Sequence, residues 1–297
     1  MAGLRPPAVH VTDPVLLGPA TVRELAARLG LHPTKRWGQN FVVDGNTVRR
    51  IVRLAEVRPG DCVLEVGPGL GSLTLALLEA EATVVAVEID PVLAEALPVT
   101  VGEHAPDHVG HLAVLAADAM RLGRADLPAS PSVLVANLPY NVAVPVLLHL
   151  LGEIDDLAHG LVMVQWEVAE RLAARPGSRT YGIPSVKAAW FADVTQQGRV
   201  PRSVFWPVPN VDSGLVAFHR RPAPSTSASR DQVFECIDAA FAQRRKSLRS
   251  ALARWAGGAD AADAALRAAG VDPALRGERL GVQEFAAVAE HRPAATS

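Results

Sequence analysis

The clearest structural signal in this sequence is the segment Val63-Leu64-Glu65-Val66-Gly67-Pro68-Gly69-Leu70-Gly71. Its first half is typical of a buried β-strand, and the glycine residues that follow predict a tight turn. A helical pattern begins directly afterwards, at Ser72. Glycine at such a turn allows the backbone to approach a ligand closely, with the N-terminus of the next helix nearby. The segment therefore predicts a strand, a ligand-binding turn and a helix.

The same alternation of short apolar runs and longer helical patterns continues on both sides of the glycine turn. We predict strands at residues 62–66, 83–87, 112–116, 133–136 and 161–164. Helices are predicted to begin near Ser72, Pro91, Ala143 and Glu167. This order is typical of a mostly parallel sheet covered by helices. The sequence thus predicts an α/β fold with a Rossmann-like sheet.

The pattern changes after a stretch rich in proline and serine at residues 222–229, which has the composition of a linker. Beyond it, apolar residues such as Val233 and Ile237 recur at helical spacing. We predict three parts: an N-terminal extension (1–20), a main domain (21–224) and a small all-helical C-terminal domain (225–297).

The composition limits the kinds of site that the chain can contain. The net charge is −2, so a nucleic-acid site would have to be a local basic patch. Cys62 and Cys236 are far apart, and the nine histidines show no ligand-like grouping, so neither a disulfide framework nor a metal site is expected. Polar residues and proline interrupt the apolar stretch at residues 133–151, and no secretory signal is recognised. We expect a soluble, cytoplasmic protein with no membrane contact.

The spacing of the glycine turn bears on the identity of the ligand. It is G-x-G-x-G followed by Ser72, which departs from the G-x-G-x-x-G form that seats a dinucleotide pyrophosphate. S-adenosylmethionine carries no phosphate but has an ammonium group, for which Glu65 is suited. Glu88 lies 17 residues after Gly71, at the end of the second predicted strand, where a carboxylate can accept ribose hydroxyls. The alternative is a tight turn with Glu88 as a strand-end cap.

Asp118 follows the third predicted strand. It can accept a hydrogen bond from the adenine amino group of the cofactor. The alternative is a helix cap, which is an ordinary role for aspartate.

A second segment, Asn137-Leu138-Pro139-Tyr140, follows the fourth predicted strand and therefore lies at the ligand-binding edge of the sheet. The nitrogen of an aromatic amine is a poor nucleophile, so acceptors must hold its hydrogens. The Asn137 side-chain oxygen and the Leu138 carbonyl can do this. Pro139 restricts Leu138 to extended geometry, and Tyr140 offers a ring for stacking of an extruded base. The segment predicts methyl transfer to an adenine amino group.

Two alternatives remain open at this segment. Asparagine and proline are also ordinary residues of a strand-to-loop turn. Phe205 is a candidate for the opposite face of the base, and packing in the core is its alternative.

Together these residues resemble the family of small-subunit ribosomal RNA adenine dimethyltransferases. The resemblance runs from about Lys35 to near the C-terminus. It rests on Lys35-Arg36-Trp37-Gly38-Gln39-Asn40-Phe41, Glu65 to Gly71, Val87-Glu88-Ile89-Asp90, Asp118, Asn137 to Asn141, Pro176 to Gly182, Pro209 to Ser213 and Phe241 to Lys246. Val42 stands where the family usually has leucine, and about twenty residues precede the family's usual start.

The resemblance implies a class I methyltransferase sheet that binds S-adenosylmethionine. It implies contacts with the cofactor or its surroundings from Asn40, Val42, Gly67, Glu88, Asp118 and Asn137. It also implies N6,N6-dimethylation of two adjacent adenosines in the 3′-terminal hairpin of 16S ribosomal RNA, within the small subunit or its precursor. We expect a monomer with a role in ribosome biogenesis.

A basic cluster, formed by Arg244, Arg245, Lys246 and Arg249, begins the C-terminal domain. Such a cluster can hold phosphates, although a solvated helix face is the usual alternative. The family resemblance favours RNA binding. Further charge precedes the linker, at Arg199, Arg202, Arg220 and Arg221.

Three other functions are compatible with parts of the pattern. A macrolide-resistance methyltransferase has a similar fold and modifies an adenine of 23S ribosomal RNA, but the segment Phe241 to Lys246 favours the small-subunit enzyme. A mainly non-catalytic ribosome-assembly factor would not require the intact Asn137 to Tyr140 segment. A nicotinamide dehydrogenase is disfavoured by the glycine spacing.

Overall fold

A computed structural model describes residues 13–31 and 40–293. The strands are β1 (Phe41–Val42), β2 (Cys62–Val66), β3 (Thr83–Glu88), β4 (Leu112–Ala116), β5 (Val133–Asn137), β6 (His159–Gln165), β7 (Ala192–Val200), β8 (Phe205–Trp206) and β9 (Ser213–Arg220). The helices are α1 (Pro19–Arg28), α2 (Gly45–Leu54), α3 (Ser72–Glu79), α4 (Pro91–His104), α5 (Ala143–Glu153), α6 (Trp166–Leu172), α7 (Ile183–Phe191), α8 (Arg230–Ala242), α9 (Leu248–Ala251), α10 (Ala253–Ala256), α11 (Ala259–Ala268) and α12 (Val282–Glu290). Single 3₁₀ segments lie at Pro106–His111, Ala119–Arg121, Arg124–Asp126, Arg202–Val204 and Gly277–Arg279.

The main sheet has the strand order β4-β3-β2-β5-β6-β9-β7. Strands β2 to β6 are parallel, whereas β9 and β7 are antiparallel to their neighbours. The order reverses between β2 and β5, so the chain leaves these two adjacent strands in opposite directions. A crevice forms at such a switch point, beyond the carboxyl ends of the strands. The glycine turn after β2 and the segment after β5 both lie at this crevice.

The predicted α/β fold with a Rossmann-like sheet is confirmed. The predicted bounds of β2 and β4 agree with the structure, β3 and β5 are one residue longer, and β6 extends further at both ends. Three of the four predicted helix starts agree with the structure, and α6 begins one residue earlier than predicted. The short pair β1 and β8 forms a separate two-stranded sheet beside the main one.

Successive residues of the central strands point to opposite faces of the sheet, and each face has its own apolar layer. Val63 and Val135 pack with α1 to α4, whereas Leu64 and Leu134 pack with α5 to α7. Buried residues of α8 to α12 belong to this second layer. The C-terminal helices therefore continue the core that α7 begins.

The structure bears on the predicted division of the chain at several points. The last strand ends at Arg220 and α8 begins at Arg230, on either side of the proposed boundary at residue 225. Helix α1 begins at Pro19, so its first turn overlaps the predicted N-terminal extension, of which residues 1–12 lie outside the described residues. No helix of the described residues is long and apolar enough to cross a membrane.

Candidate active site

The glycine turn after β2 has a backbone conformation that residues with a β-carbon rarely adopt. Gly67, Gly69 and Gly71 have φ values of 69°, 58° and 96°. A β-carbon on Gly69 would lie 2.9 Å from the ring of Phe41, and one on Gly71 would lie 2.9 Å from Leu97. The turn therefore depends on glycine both for its conformation and for its close contacts.

Glu88, at the end of β3, holds this turn in place. Its Oε2 accepts a hydrogen bond from the Gly69 N–H (3.1 Å), and its Oε1 accepts one from the Asp90 N–H (3.0 Å). The side chain is buried, and burial raises the pKa of the carboxyl group, a shift that the backbone hydrogen bonds oppose. Each oxygen keeps a lone pair that a ligand hydroxyl can use.

Glu65 lies in β2 beneath the turn and is only 1% exposed. Thr74 donates a hydrogen bond of 2.7 Å to its Oε2. Its Oε1 is buried and has no hydrogen-bond partner among the described residues. Burial raises the pKa of this carboxyl group to about 8, and the nearby Glu88 adds to the rise. A buried acceptor without a partner, lining a cavity, suits a cationic group of a ligand.

Asp118 follows β4 and is partly exposed. Its Oδ1 accepts a hydrogen bond from the Met120 N–H (2.9 Å) and so caps the short 3₁₀ segment that begins at Ala119. The helix-cap alternative is therefore realised in the structure. The carboxylate also lines the same cavity as Glu88, so the cap does not prevent contact with a ligand.

Asn137 is the last residue of β5, and its side chain is oriented by a backbone carbonyl. Its Nδ2 donates a hydrogen bond of 3.0 Å to the carbonyl oxygen of Asn40. A carbonyl can only accept, so the amide nitrogen must face Asn40, and the amide oxygen remains available as an acceptor. Asn40 precedes β1, which means that a distant part of the chain sets the direction of this side chain.

Leu138 and Tyr140, which carry predicted roles in the same segment, are also held by neighbouring strands. The Leu138 N–H donates to the Met163 carbonyl of β6 (3.1 Å). The Tyr140 hydroxyl lies 2.9 Å from Oγ of the buried Ser213 at the start of β9. Burial raises the pKa of the Tyr140 phenol, so it stays protonated at neutral pH.

One cavity of about 330 Å³ brings most of the predicted residues together. Its lining includes Asn40, Val42, Gly67, Glu88, Asp118, Asn137, Leu138, Pro139 and Tyr140, together with Glu65. The cavity lies where the sheet order reverses, which is the expected ligand site of an open α/β fold. The part of the family motif at Lys35–Gln39 lies outside the described residues.

Phe205 is not part of this cavity. It is 2% exposed, pairs with Val42 across β1 and β8, and belongs to the apolar layer that α1 to α4 cover. A ring in this position offers no open face to a base. The stacking role predicted for Phe205 has no support in this arrangement, and packing in the core accounts for the residue.

The basic cluster of the C-terminal domain is partly engaged within the protein. Arg244 pairs with Glu278 (3.0 Å), and Arg249 pairs with Asp260 (2.8 Å). Arg245 and Lys246 are exposed, and neither forms an ion pair with another described residue. Of the four cations of this cluster, these two are the ones without an ion-pair partner in the part of the chain that the structure describes.

Other residues of the site were not found by sequence reasoning, or have a different role from the one suggested. Thr74 binds Glu65, and Ser213 binds Tyr140. Of these two partners, only Ser213 was indicated by the sequence, through its position in a family motif.

Arg220 has a structural role in place of the RNA contact suggested for it. It donates to the carbonyls of Leu151, Ile154 and Leu157 near the end of α5. Within the described ranges, no group of three or more histidine, cysteine, aspartate or glutamate side chains is placed to hold a metal ion.

Comparison with known proteins adds a family to this geometry. Residues 31–291 match the model of the family described as ribosomal RNA adenine dimethylase. A ribosomal RNA small subunit methyltransferase A from Thermobifida fusca is 66% identical over 281 residues, which cover 95% of this chain and 98% of that protein. A protein of the same name from Streptomyces coelicolor is 63% identical over 282 residues, covering 95% and 98% of the two chains.

Solved structures show the same fold. A dimethyladenosine transferase from Plasmodium falciparum superposes with a TM-score of 0.69 at 22% identity, covering 84% of this chain and 95% of that one. The 23S rRNA methyltransferase ErmE superposes with a TM-score of 0.61 at 27% identity, covering 85% and 99%. The identity to the small-subunit enzymes is thus more than twice the identity to ErmE.

Proposed function

The chain belongs to the ribosomal RNA adenine dimethylase family, and on that basis we propose that it dimethylates the N6 amino groups of two adjacent adenosines in 16S ribosomal RNA. The proposed target lies in the 3′-terminal hairpin, within the small subunit or its precursor. The high identity to proteins named small subunit methyltransferase A supports this choice over 23S ribosomal RNA. The modification would form part of small-subunit biogenesis.

The orientation of the Asn137 amide is the observation that carries the catalytic part of this proposal, methyl transfer to an adenine amino group. Its nitrogen is bound to the Asn40 carbonyl, so its oxygen is the free acceptor beside the cavity. An acceptor there holds one hydrogen of the target amino group and favours the pyramidal nitrogen that can attack a methyl group. The Leu138 carbonyl would accept the second hydrogen. Pro139 restricts Leu138 to extended geometry, and the bond from the Leu138 N–H to Met163 anchors the preceding peptide group.

Tyr140 would bind the target base. Its ring lines the cavity beside Asn137, and the bond to Ser213 keeps the ring from turning away. A base extruded from the RNA loses its stacking neighbours, and an aromatic face restores about 1 to 3 kcal/mol of that energy. The raised pKa keeps the phenol neutral, so Tyr140 positions the base and does not remove its proton.

The residues of the cavity also fit S-adenosylmethionine. When bound, this cofactor supplies an electrophilic methyl group on a sulfonium. Glu88 would accept the ribose hydroxyls, Asp118 the adenine amino group, and Glu65 would face the ammonium group with its partnerless oxygen. Gly67, together with Asn40 and Val42, would form the wall against which the cofactor packs. Transfer then depends mainly on alignment of the amine with the methyl group.

We also propose how the chain is organised for this task. Residues 21–224 would form the catalytic domain and residues 225–297 an RNA-binding helical domain, with Arg245 and Lys246 as its freest phosphate contacts and Arg244 and Arg249 beside them. We propose that the protein acts as a monomer, because the residues proposed to bind the cofactor and the base all come from one chain. The proposed substrate supports a location in the cytoplasm, where bacterial ribosomes are assembled.

Substitution of Asn137 by alanine tests the catalytic assignment. The variant should bind S-adenosylmethionine nearly as well as the parent, because most of the cavity is unchanged. It should lose methyl transfer by roughly 100-fold or more, as is usual when a preorganised polar group is removed. Binding is measured by thermal shift with S-adenosylmethionine and with NAD, and transfer by mass spectrometry of the RNA. The exposed Asn46 of α2 provides a matched Asn→Ala control, and near-normal dimethylation by the Asn137 variant would refute the assignment.

A further inference from the structure

A tryptophan and an arginine form a cation–π pair, called here the stacked pair, at the edge of the sheet that carries the active site. Trp166 is the first residue of α6 and directly follows β6, whose neighbour β5 ends at Asn137. The guanidinium carbon of Arg199, in β7, lies 4.5 Å from the centre of the Trp166 ring. The proposed mechanism uses neither residue.

The backbone makes room for this pair. Arg199 is paired in register with Gly214 of β9. A β-carbon on Gly214 would lie 3.4 Å from the Trp166 ring and 2.5 Å from the Ala169 side chain. The missing side chain thus lets the indole lie over β9, next to the strand that carries Arg199.

The pair is connected to the loop that holds the proposed base-binding tyrosine. The backbone N–H of Trp166 donates to the Asp212 carbonyl (3.0 Å), and the Asp212 carboxylate lies 3.4 Å from Nε of Arg199. The next residue, Ser213, is the one that binds the Tyr140 hydroxyl. Two consecutive residues, Asp212 and the first residue of β9, therefore anchor both the stacked pair and Tyr140.

The exposed side of the pair is suited to a nucleobase. The Arg199 guanidinium lies over the indole, and 56% of the arginine side chain remains exposed. Guanidinium planes stack on bases in RNA complexes, and a ring behind the cation adds a cation–π contribution. The positive charge is also favourable for the phosphate next to that base.

We propose that Arg199, backed by Trp166, is a stacking platform for the base next to the target adenosine. This inference rests on the proposed function, because it requires an RNA strand at Tyr140. When the target base leaves its stack, the neighbouring base loses a stacking partner as well. The platform replaces that partner and positions the strand while the target base lies against Tyr140.

The test uses the full-length protein and small subunits reconstituted with RNA whose 3′ segment has been ligated in place. Three RNAs are compared: an intact one, one in which the nucleotide on the 5′ side of a chosen target adenosine is abasic, and one in which the nucleotide on its 3′ side is abasic. Methyl transfer to the chosen target adenosine is measured as kcat/KM for the parent and for Arg199→Ala. The kcat/KM of the parent should fall by roughly 5- to 140-fold with one of the two abasic substrates, relative to intact RNA. This factor corresponds to about 1 to 3 kcal/mol for one stacked base. With intact RNA, the kcat/KM of Arg199→Ala should be lower than that of the parent by a similar factor. Removal of the same base should lower the kcat/KM of this variant little further.

Two further variants separate stacking from charge. Arg199→Lys keeps the charge without the planar group, so it should behave like Arg199→Ala if the base stacks and like the parent if only a phosphate is bound. Arg202→Ala is the control, because it removes an exposed arginine whose backbone N–H also binds Asp212. Its kcat/KM, relative to that of the parent, should fall by the same factor with intact and abasic RNA. Equal losses for Arg199→Ala on all three RNAs, or full rescue by lysine, would overturn the platform. Failure of the parent to methylate intact subunits would instead refute the proposed function.

Discussion

Replacement of Glu65 by glutamine tests whether the carboxyl group beneath the glycine turn is protonated in the free protein. The side chain is 1% exposed, and one oxygen has no partner among the described residues. Burial raises the pKa of Glu65 from 4.5 to about 8. Glutamine keeps the size of the side chain and can still accept the hydrogen bond from Thr74, but it cannot ionise.

The magnitude follows from the two pKa values. Between pH 4.5 and about 8 the folded protein retains a proton that the unfolded chain has lost. The stabilising effect of this proton is complete below pH 4.5 and is lost as the pH rises toward 8. From pH 5 to pH 7 the loss for this one group is about 2 to 3 kcal/mol in the free energy of unfolding. The glutamine variant lacks this component of the pH dependence.

Urea denaturation of both proteins at pH 5, 6 and 7 measures the effect. The stability of the glutamine variant relative to the parent should rise with pH by about 2 to 3 kcal/mol across this range. Contributions of groups that do not interact with Glu65 are present in both proteins and cancel in the difference. A difference that does not change with pH would show that Glu65 is already ionised in the folded protein and would refute the reasoning.

The affinity for S-adenosylmethionine should also depend on the proton of Glu65. If the ammonium group faces Glu65, the carboxyl group must ionise on binding, and the affinity of the parent should increase by up to about tenfold from pH 6 to pH 7. The affinity of the glutamine variant should be weaker and nearly constant over this range. Titration calorimetry in two buffers of different ionisation enthalpy would detect the released proton directly.

Three other substitutions probe separate parts of the structure. Tyr140→Phe keeps the ring but loses the bond to Ser213, so it should retain only part of the activity. Tyr140→Ala should raise KM for the RNA substrate by roughly 5- to 140-fold, the equivalent of one stacked base. Gly69→Ala should lower stability by about 1 to 2 kcal/mol and weaken cofactor binding, while Gly30→Ala, at a similar positive φ but far from any neighbour, should change only stability. Tyr181→Phe leaves the buried Leu280 carbonyl without its donor and should lower the free energy of unfolding by about 1 to 3 kcal/mol, measured by urea denaturation. Unchanged stability in this last variant would show that the bond between the α6–α7 loop and the C-terminal helices is dispensable.

The strands that form the centre of the sheet could be predicted because their signal is local. Strands β2, β3, β5 and β6 are short apolar runs with turn residues on either side, and parallel strands buried on both faces have this pattern. The edge strand β4 has a similar apolar run but is partly exposed. The glycine turn is also a local signal, because positive φ values restrict its residues to glycine. The ligand-binding edge of the sheet followed from the order of these elements alone.

Strand β7 shows why the rest of the sheet was not predicted. Its sequence includes Gln196, Gln197 and Gly198, and it lies at the edge of the sheet with a register shift at this point. It is a strand because β9 returns antiparallel beside it, which is a contact between distant parts of the chain. The strand propensity of such a segment depends on its neighbours more than on its own residues.

The side-chain contacts of the site depend on the fold in the same way. The sequence indicates that Asn137 and Glu65 have suitable chemistry, but not that Asn40 orients one and Thr74 binds the other. An aromatic residue such as Phe205 gives no local sign of whether it faces a cavity or the core. The same limit applies to Arg244, whose acidic partner is 34 residues away in the sequence.

Mass spectrometry of ribosomal RNA tests the central claim most directly. The protein is incubated with S-adenosylmethionine and either unmethylated small subunits or large subunits, and the digested RNA is searched for methylated adenosine. We predict two adjacent N6,N6-dimethyladenosines in the 3′-terminal hairpin of 16S ribosomal RNA, and no new methyl group in the large subunit. Methylation of 23S ribosomal RNA, or of a different adenosine in the small subunit, would contradict the proposed function.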